Sequence, residues 1–147
     1  MTSTTLCRLC GEPAILRDSH IVPEFVYRPS YDATHTAVVL DLQADEKAKL
    51  QKGFRERMLC DACEGLFSKW EGYFARIWFD RTKGIRPRLI AADELITVGG
   101  IDYAQFKLFH MSIVWRLGVS TRREFDTVRL GTREKALRRS GLGFLNN

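Results

Sequence analysis

MLCDACEGLFSKWE, Met58 to Glu71, decides the fold: a Cys-x-x-Cys pair, Cys60 and Cys63, runs straight into an amphipathic pattern. Leu66, Phe67, Trp70, Tyr73, Phe74, Ile77 and Trp78 recur at spacings of three and four. That period predicts a helix from Asp61 to about Phe79, with one apolar face buried against the rest of the chain. Glu64, Ser68 and Glu71 fall on one margin of that face, the two carboxylates about 10 Å apart along the axis. They are too far apart to share one metal easily.

A second pair of the same spacing, Cys7 and Cys10, is separated from Cys60 by 49 residues, and these are all four cysteines in the chain. The segment MTSTTLCRLC has neither the basic nor the apolar region of a secretory signal, and no run approaches the roughly 18 apolar residues needed to cross a bilayer. The expectation is a cytoplasmic protein with no membrane partner, whose cysteines are thiolate ligands, not disulfides. Two knuckles of two thiolates each match a four-sulfur zinc site, which would staple distant stretches of chain. An iron–sulfur cluster accepts the same ligands, and His20 in place of one cysteine is the other alternative. A closed four-thiolate site leaves no position for water, so the zinc is expected to be structural, and its removal to melt the N-terminal half.

The 147 residues are 45% hydrophobic and 28% charged, an ordinary globular composition. The net charge of +5 comes entirely from residues 101–147, with 9 basic and 4 acidic side chains, because residues 1–100 carry 14 of each. Arg116, Arg122, Arg123, Arg129, Arg133, Lys135, Arg138 and Arg139 make this third basic. Such a surface favours a polyanion through counterion release, and Arg122, Arg123, Arg133, Arg138 and Arg139 are the candidate nucleic-acid contacts.

Around these motifs the pattern predicts a disordered lead-in from Thr2 to Thr5. Short extended pieces follow at Ala14 to Leu16 and Ile21-Val22, then an apolar turn at Phe25 to Tyr27 ended by Pro29, and a strand over Ala37 to Leu42. Ala44 to Lys52, rich in Lys and Glu, reads as a solvated helix or loop. Beyond a loop around Gly84 and Pro87, Arg88 to Ile90 and Leu95 to Val98 read as a hairpin turning at residues 92–94. Asp102 caps a helix through Val114 that stops at Gly118. A strand at Phe125 to Leu130, a basic helix from Thr132 to Gly141 and a tail, GLGFLNN, complete the chain. His35 reads as a loop residue and His110 as a packed one.

The order of a Cys-x-x-Cys knuckle, a strand bearing His20-Ile21-Val22-Pro23, and a second knuckle opening a helix resembles the zinc-containing HNH group of the His-Me finger nucleases. The likeness covers about Cys7 to Trp70. It implies an α+β fold: a treble-clef-like ββα-metal zinc subdomain over residues 1–80, fused to a basic helical and β extension over residues 81–147 packed on it. It also implies a metal-dependent endonuclease acting on nucleic acid, DNA first, with His20 as the general base that deprotonates the attacking water. A second divalent ion, Mg2+ or Mn2+, would stabilise the scissile phosphate.

The chain departs from the family pattern around that ion. Ser19 stands where an acidic ligand is common, Arg55 near the usual asparagine, and Glu64 where Asn or His is expected. Glu64 is a good hard ligand for magnesium, Asp18 is a substitute acid on the neighbouring position, and Arg55 can clamp a phosphate. Without those ligands the same scaffold is a non-catalytic zinc module that binds DNA, RNA or a protein partner, a second copy of itself included.

Overall fold

The computed structural model describes residues 5–41, 46–79, 88–92 and 95–143. Residues 2–4 of the expected lead-in, the loop around Gly84 and Pro87, the Asp93-Glu94 connection and residues 144–147 lie outside them. Thr5 itself is in a strand, β1 (Thr5–Leu6), which pairs antiparallel with β2 (Pro13–Ala14) and brackets the first knuckle. The turn between them is closed by Cys7 N donating to Glu12 O and Gly11 N to Cys7 O. Gly11 sits at φ +85°, the left-handed conformation in which a side chain would be strained.

β3 (Arg17–His20) pairs antiparallel with β6 (Arg55–Leu59), with Ser19 opposite Glu56 and His20 opposite Arg55. The chain between them forms a turn of helix, α1 (Glu24–Tyr27), a 3-10 turn at Arg28–Ser30, and a ribbon of β4 (Ala37–Asp41) with β5 (Glu46–Leu50). β5 corrects the expected charged helix or loop. Five ladder pairs with the β-branched AVVLD strand outweigh the helix propensity of EKAKL, and Lys47 and Lys49 stay in solvent. Lys52 at φ 62° and Gly53 at φ 67° then turn the chain into β6; a Cβ on Gly53 would lie 2.6 Å from the Tyr27 ring.

α2 (Asp61–Trp78) follows β6 directly and is the predicted helix. It buries Cys63, Leu66, Phe67, Trp70, Tyr73 and Ile77. Trp78, assigned to the same face, is 44% exposed, its ring tilted against Phe74. β7 (Arg88–Ala92) and β8 (Leu95–Gly99) form the expected antiparallel pair. α3 (Tyr103–Val119) starts where Asp102 accepts from Ala104 N at 2.9 Å and Gln105 N at 3.2 Å.

α3 does not stop at Gly118. It runs on to Val119, and the glycine's role is clearance: a Cβ there would lie 2.2 Å from Leu130 Cγ. The expected strand at Phe125 to Leu130 is instead a 3-10 turn, Arg123–Phe125, followed by irregular chain. Its apolar residues anchor separately, Phe125 edge-on to Phe54 and Leu130 against Gly118. α4 (Arg133–Leu142) packs on α3 and reaches the first knuckle.

The core joins knuckles, strands and helices: Cys7, Leu9, Ile21, Met58, Leu59, Cys63, Phe67, Trp70, Phe109 and Trp115 belong to one buried cluster. Phe74 stacks on Phe109 with centroids 3.9 Å apart, and Phe25 lies across both. Stacked rings of this kind add to the hydrophobic burial that holds α2 on α3. Among the described residues no helix is long and apolar enough to cross a membrane.

Candidate metal centre and the His20 strand end

The Sγ atoms of Cys7, Cys10, Cys60 and Cys63 lie within 4.8 Å of one another, an arrangement that can hold a metal ion. A tetrahedral ion with metal–sulfur bonds of about 2.3 Å sets its sulfurs about 3.8 Å apart, and Cys10 Sγ to Cys60 Sγ is 3.9 Å. All four are free thiols, and that distance is far beyond a disulfide bond. Cys60 N donates to Cys7 Sγ at 3.3 Å, so the head of α2 also turns toward the sulfurs.

The thiols cannot all ionise unaided. The hydrogen bond with Cys63, working against burial, lowers Cys7, while the same hydrogen bond and then burial push Cys63 up. Burial raises Cys10 as well. A cation is the natural partner for several negative sulfurs packed this closely.

Next to this centre, two helices converge on the end of β3. Ser19, fully buried, donates its hydroxyl to Glu64 Oε2 at 2.5 Å, tying the strand to the first turn of α2. Arg116 of α3 is equally buried; its Nη1 donates to the His20 carbonyl at 2.7 Å and is ion-paired with Glu71 Oε1 at 2.7 Å. Burial pushes the Glu71 carboxyl up; Arg116 pulls it back, and the charge of Glu64 adds to the rise. His20 Nε2 is buried and has no hydrogen-bond partner among the described residues.

No protein family, curated protein or solved structure matches the chain.

The predicted site residues divide as follows. The four cysteines come together. Glu64 meets Ser19, and its charge acts on Glu71, but Glu64, Glu71 and His20 do not form an ion site: among the described residues the cysteines are the one group of three or more His, Cys, Asp or Glu side chains set to hold an ion. Arg55 turns to Asp18, with Nε 3.1 Å from Oδ2 and Nη2 donating to the Asp18 carbonyl at 3.0 Å.

Of the basic candidates, Arg122 is committed to the fold, over the Phe54 ring and bonded to Glu124 and the Arg55 carbonyl. Arg138 donates to Leu9 O at 2.5 Å and so braces the first knuckle. Arg123, Arg133 and Arg139 are exposed. Arg116, counted from the sequence with the basic surface, is instead an interior residue. His35, in a turn at φ 54°, lines an open cleft of about 420 Å3 with Glu24, Arg28, Tyr31 and Asp32. His110 lies against Phe74, Phe106 and Phe109, its Nδ1 donating to Phe106 O at 2.8 Å, yet it is partly open to solvent.

Sequence reading missed Glu56, whose carboxylate takes Arg8, Ser120 and Thr121. It also missed the burial of Arg116. One signal was present for the latter: between Lys107 and Arg122 it is the only Asp, Glu, Lys or Arg, with Trp115 and Leu117 as neighbours.

Proposed function

We propose that the chain is a zinc-stapled protein of the ββα-metal, HNH-like kind that hydrolyses phosphodiester bonds in nucleic acid, with His20 as general base. The observation that carries this reading is the buried, unpartnered Nε2 of His20 at the end of β3. A buried polar atom without a hydrogen-bond partner is costly, and of the four such side-chain atoms among the described residues, the others being Tyr31 Oη, Arg55 Nε and Arg122 Nε, the imidazole nitrogen is the one with the chemistry of a general base. The supporting frame is a knuckle, then β3 paired with β6, then a second knuckle opening α2. The resemblance expects a treble-clef-like subdomain from parts in this order, and that agreement in order supports the reading.

Zinc is the ion we assign to the four cysteines, since four thiolates at single-ion spacing suit it and leave it structural. A second ion, Mg2+ or Mn2+, would be held by Glu64. Ser19 orients one of its oxygens, the other has no hydrogen bond among the described residues, and magnesium is commonly held by one or two carboxylates together with substrate phosphates. When bound, such an ion neutralises charge developing at the phosphate. Arg55 can exchange its exposed partner Asp18 for a phosphate, because surface ion pairs of this kind are weak. Arg123, Arg133 and Arg139 supply exposed positive charge for the backbone.

The test is nicking of supercoiled plasmid with Mg2+, Mn2+ or Ni2+, comparing wild type with His20→Ala. Loss of cleavage in the variant supports the reading; equal cleavage by both, or none with any ion, removes it. A second reading, a non-catalytic zinc module that binds nucleic acid or a protein, is favoured by the Ser19–Glu64 and Arg55–Asp18 pairs, which occupy groups an active site would use. Salt-sensitive gel shifts that are unaffected by His20→Ala and never followed by cleavage would establish it.

A further inference from the structure

Arg116 is 0% exposed, and four groups hold its guanidinium. Its own helix fixes one edge: Nε donates to Ser112 O at 3.3 Å and Nη2 to Ser112 Oγ at 3.3 Å, while Ser112 in turn bonds the Phe109 carbonyl. The plane lies 5.2 Å from the centre of the Phe67 ring on α2. That leaves Nη1, which donates to the His20 carbonyl and forms an ion pair with Glu71 Oε1 at 2.7 Å. A lysine cannot reproduce this fork.

A buried ion pair is a poor stabilising device, because removing two charges from water offsets most of their attraction, and a well-packed apolar replacement is often as stable. What the pair provides here is a fixed position. Ser19 is bonded by Glu64 of α2, and the next residue by Arg116 of α3, so consecutive residues of the strand end are held from two helices.

We infer that Arg116 is a positioning residue for His20: it fixes the backbone of the reactive strand end through the His20 carbonyl, and Glu71 holds the guanidinium in that pose. The proposal rests on the functional reading of His20 given above. It gives α3, 96 positions away in sequence, control over where the imidazole sits. Misplacing a reacting group by about 1 Å can lower a rate about a hundred-fold.

The experiment compares wild type, Arg116→Met, Arg116→Lys and His20→Ala, all loaded with zinc. It reads thermal melts, single-turnover plasmid cleavage at saturating substrate, KM, and the ring resonances of His20, assigned by their loss in His20→Ala. The expected result is that Arg116→Met melts below wild type, because Glu71 is left buried without its partner, yet at a temperature where it is folded cleaves about a hundred-fold more slowly with KM little changed, and shows shifted or broadened His20 ring lines. Arg116→Lys should not rescue it. Wild-type cleavage with unmoved His20 lines in either folded variant overturns the proposal. If Arg116→Met does not fold, Arg116→Lys decides by the same readouts, and if neither folds the role is structural and the proposal falls. If wild type and His20→Ala cleave equally, the functional reading fails on its own, and the His20 lines in the folded Arg116 variants still decide the positioning claim.

Discussion

Replacing Glu56 should loosen the first knuckle from the end of α3. Its Oε1 accepts from Arg8 Nη2 at 2.5 Å and Thr121 Oγ1 at 2.7 Å, and its Oε2 from Ser120 Oγ at 2.6 Å and Thr121 N at 3.1 Å. Arg8 also donates to Val119 O at 2.5 Å, so one carboxylate ties β6 to the knuckle and to the cap of α3. Hydrogen bonds to a charged group contribute about 1.5–3 kcal/mol each but do not add. Breaking a fully buried pair costs about 3–5 kcal/mol. With Glu56 13% and Arg8 26% exposed, solvent screening reduces this, and Glu56→Ala should cost about 3 kcal/mol. Glu56→Gln keeps one acceptor oxygen, enough for the Thr121 or the Ser120 hydroxyl but not both, and should cost about 1–2 kcal/mol.

The pH dependence carries a definite sign. Burial alone would raise Glu56, but Ser120, Thr121 and Arg8 outweigh it and hold the carboxyl below its ordinary value. Its contribution is therefore full above the ordinary glutamate pKa of about 4.3, and is lost as pH falls through the lower folded value. Denaturant unfolding of wild type and Glu56→Gln at each pH isolates this effect, because thiolate protonation is common to both. The gap should be open at pH 7 and narrow under acid. Equal stability at pH 7, or a gap that persists under acid, would refute the argument.

Two helical glycines should respond in opposite directions to alanine. Gly65→Ala meets nothing within 4 Å and should stabilise by up to about 1 kcal/mol, whereas Gly118→Ala drives a Cβ into Leu130 and should destabilise by about 1–2 kcal/mol despite the same propensity gain, as thermal melts would show. Complete chelation of the metal, or Cys60→Ser, should abolish the cooperative melt of the knuckle–β6–α2 unit, since ligand binding in such sites supplies about 10 kcal/mol or more; an unchanged melt after verified metal removal would contradict the staple. Phe109→Ala, at a site 1% exposed and stacked on Phe74, should cost about 3–5 kcal/mol by denaturant titration, and a cost under 1 kcal/mol would mean that α2 and α3 are held by something else.

What could be read from the sequence was what short-range periodicity and ligand chemistry determine. The apolar spacing of Leu66, Phe67, Trp70, Tyr73 and Ile77 marks α2, Asp102 marks the start of α3, and paired Cys-x-x-Cys spacing marks the metal centre. β5 escaped because EKAKL is a strand only by virtue of its ladder to β4, a partner that local propensity does not see. Arg116 escaped because a basic residue in a helix is normally solvated, and only the packing of α3 on α2 brings it to Glu71 and His20. The Ser19–Glu64 bond spans 45 positions with no spacing signature.

The central claim is that His20 takes a proton during phosphodiester hydrolysis, and chemical rescue of His20→Ala tests it most directly. With metal content matched to wild type, the variant should lose plasmid nicking and regain part of it on addition of imidazole, with the rescued rate rising as imidazole becomes neutral. A variant that nicks at the wild-type rate, or that stays inactive in imidazole while wild type cleaves, would contradict the account.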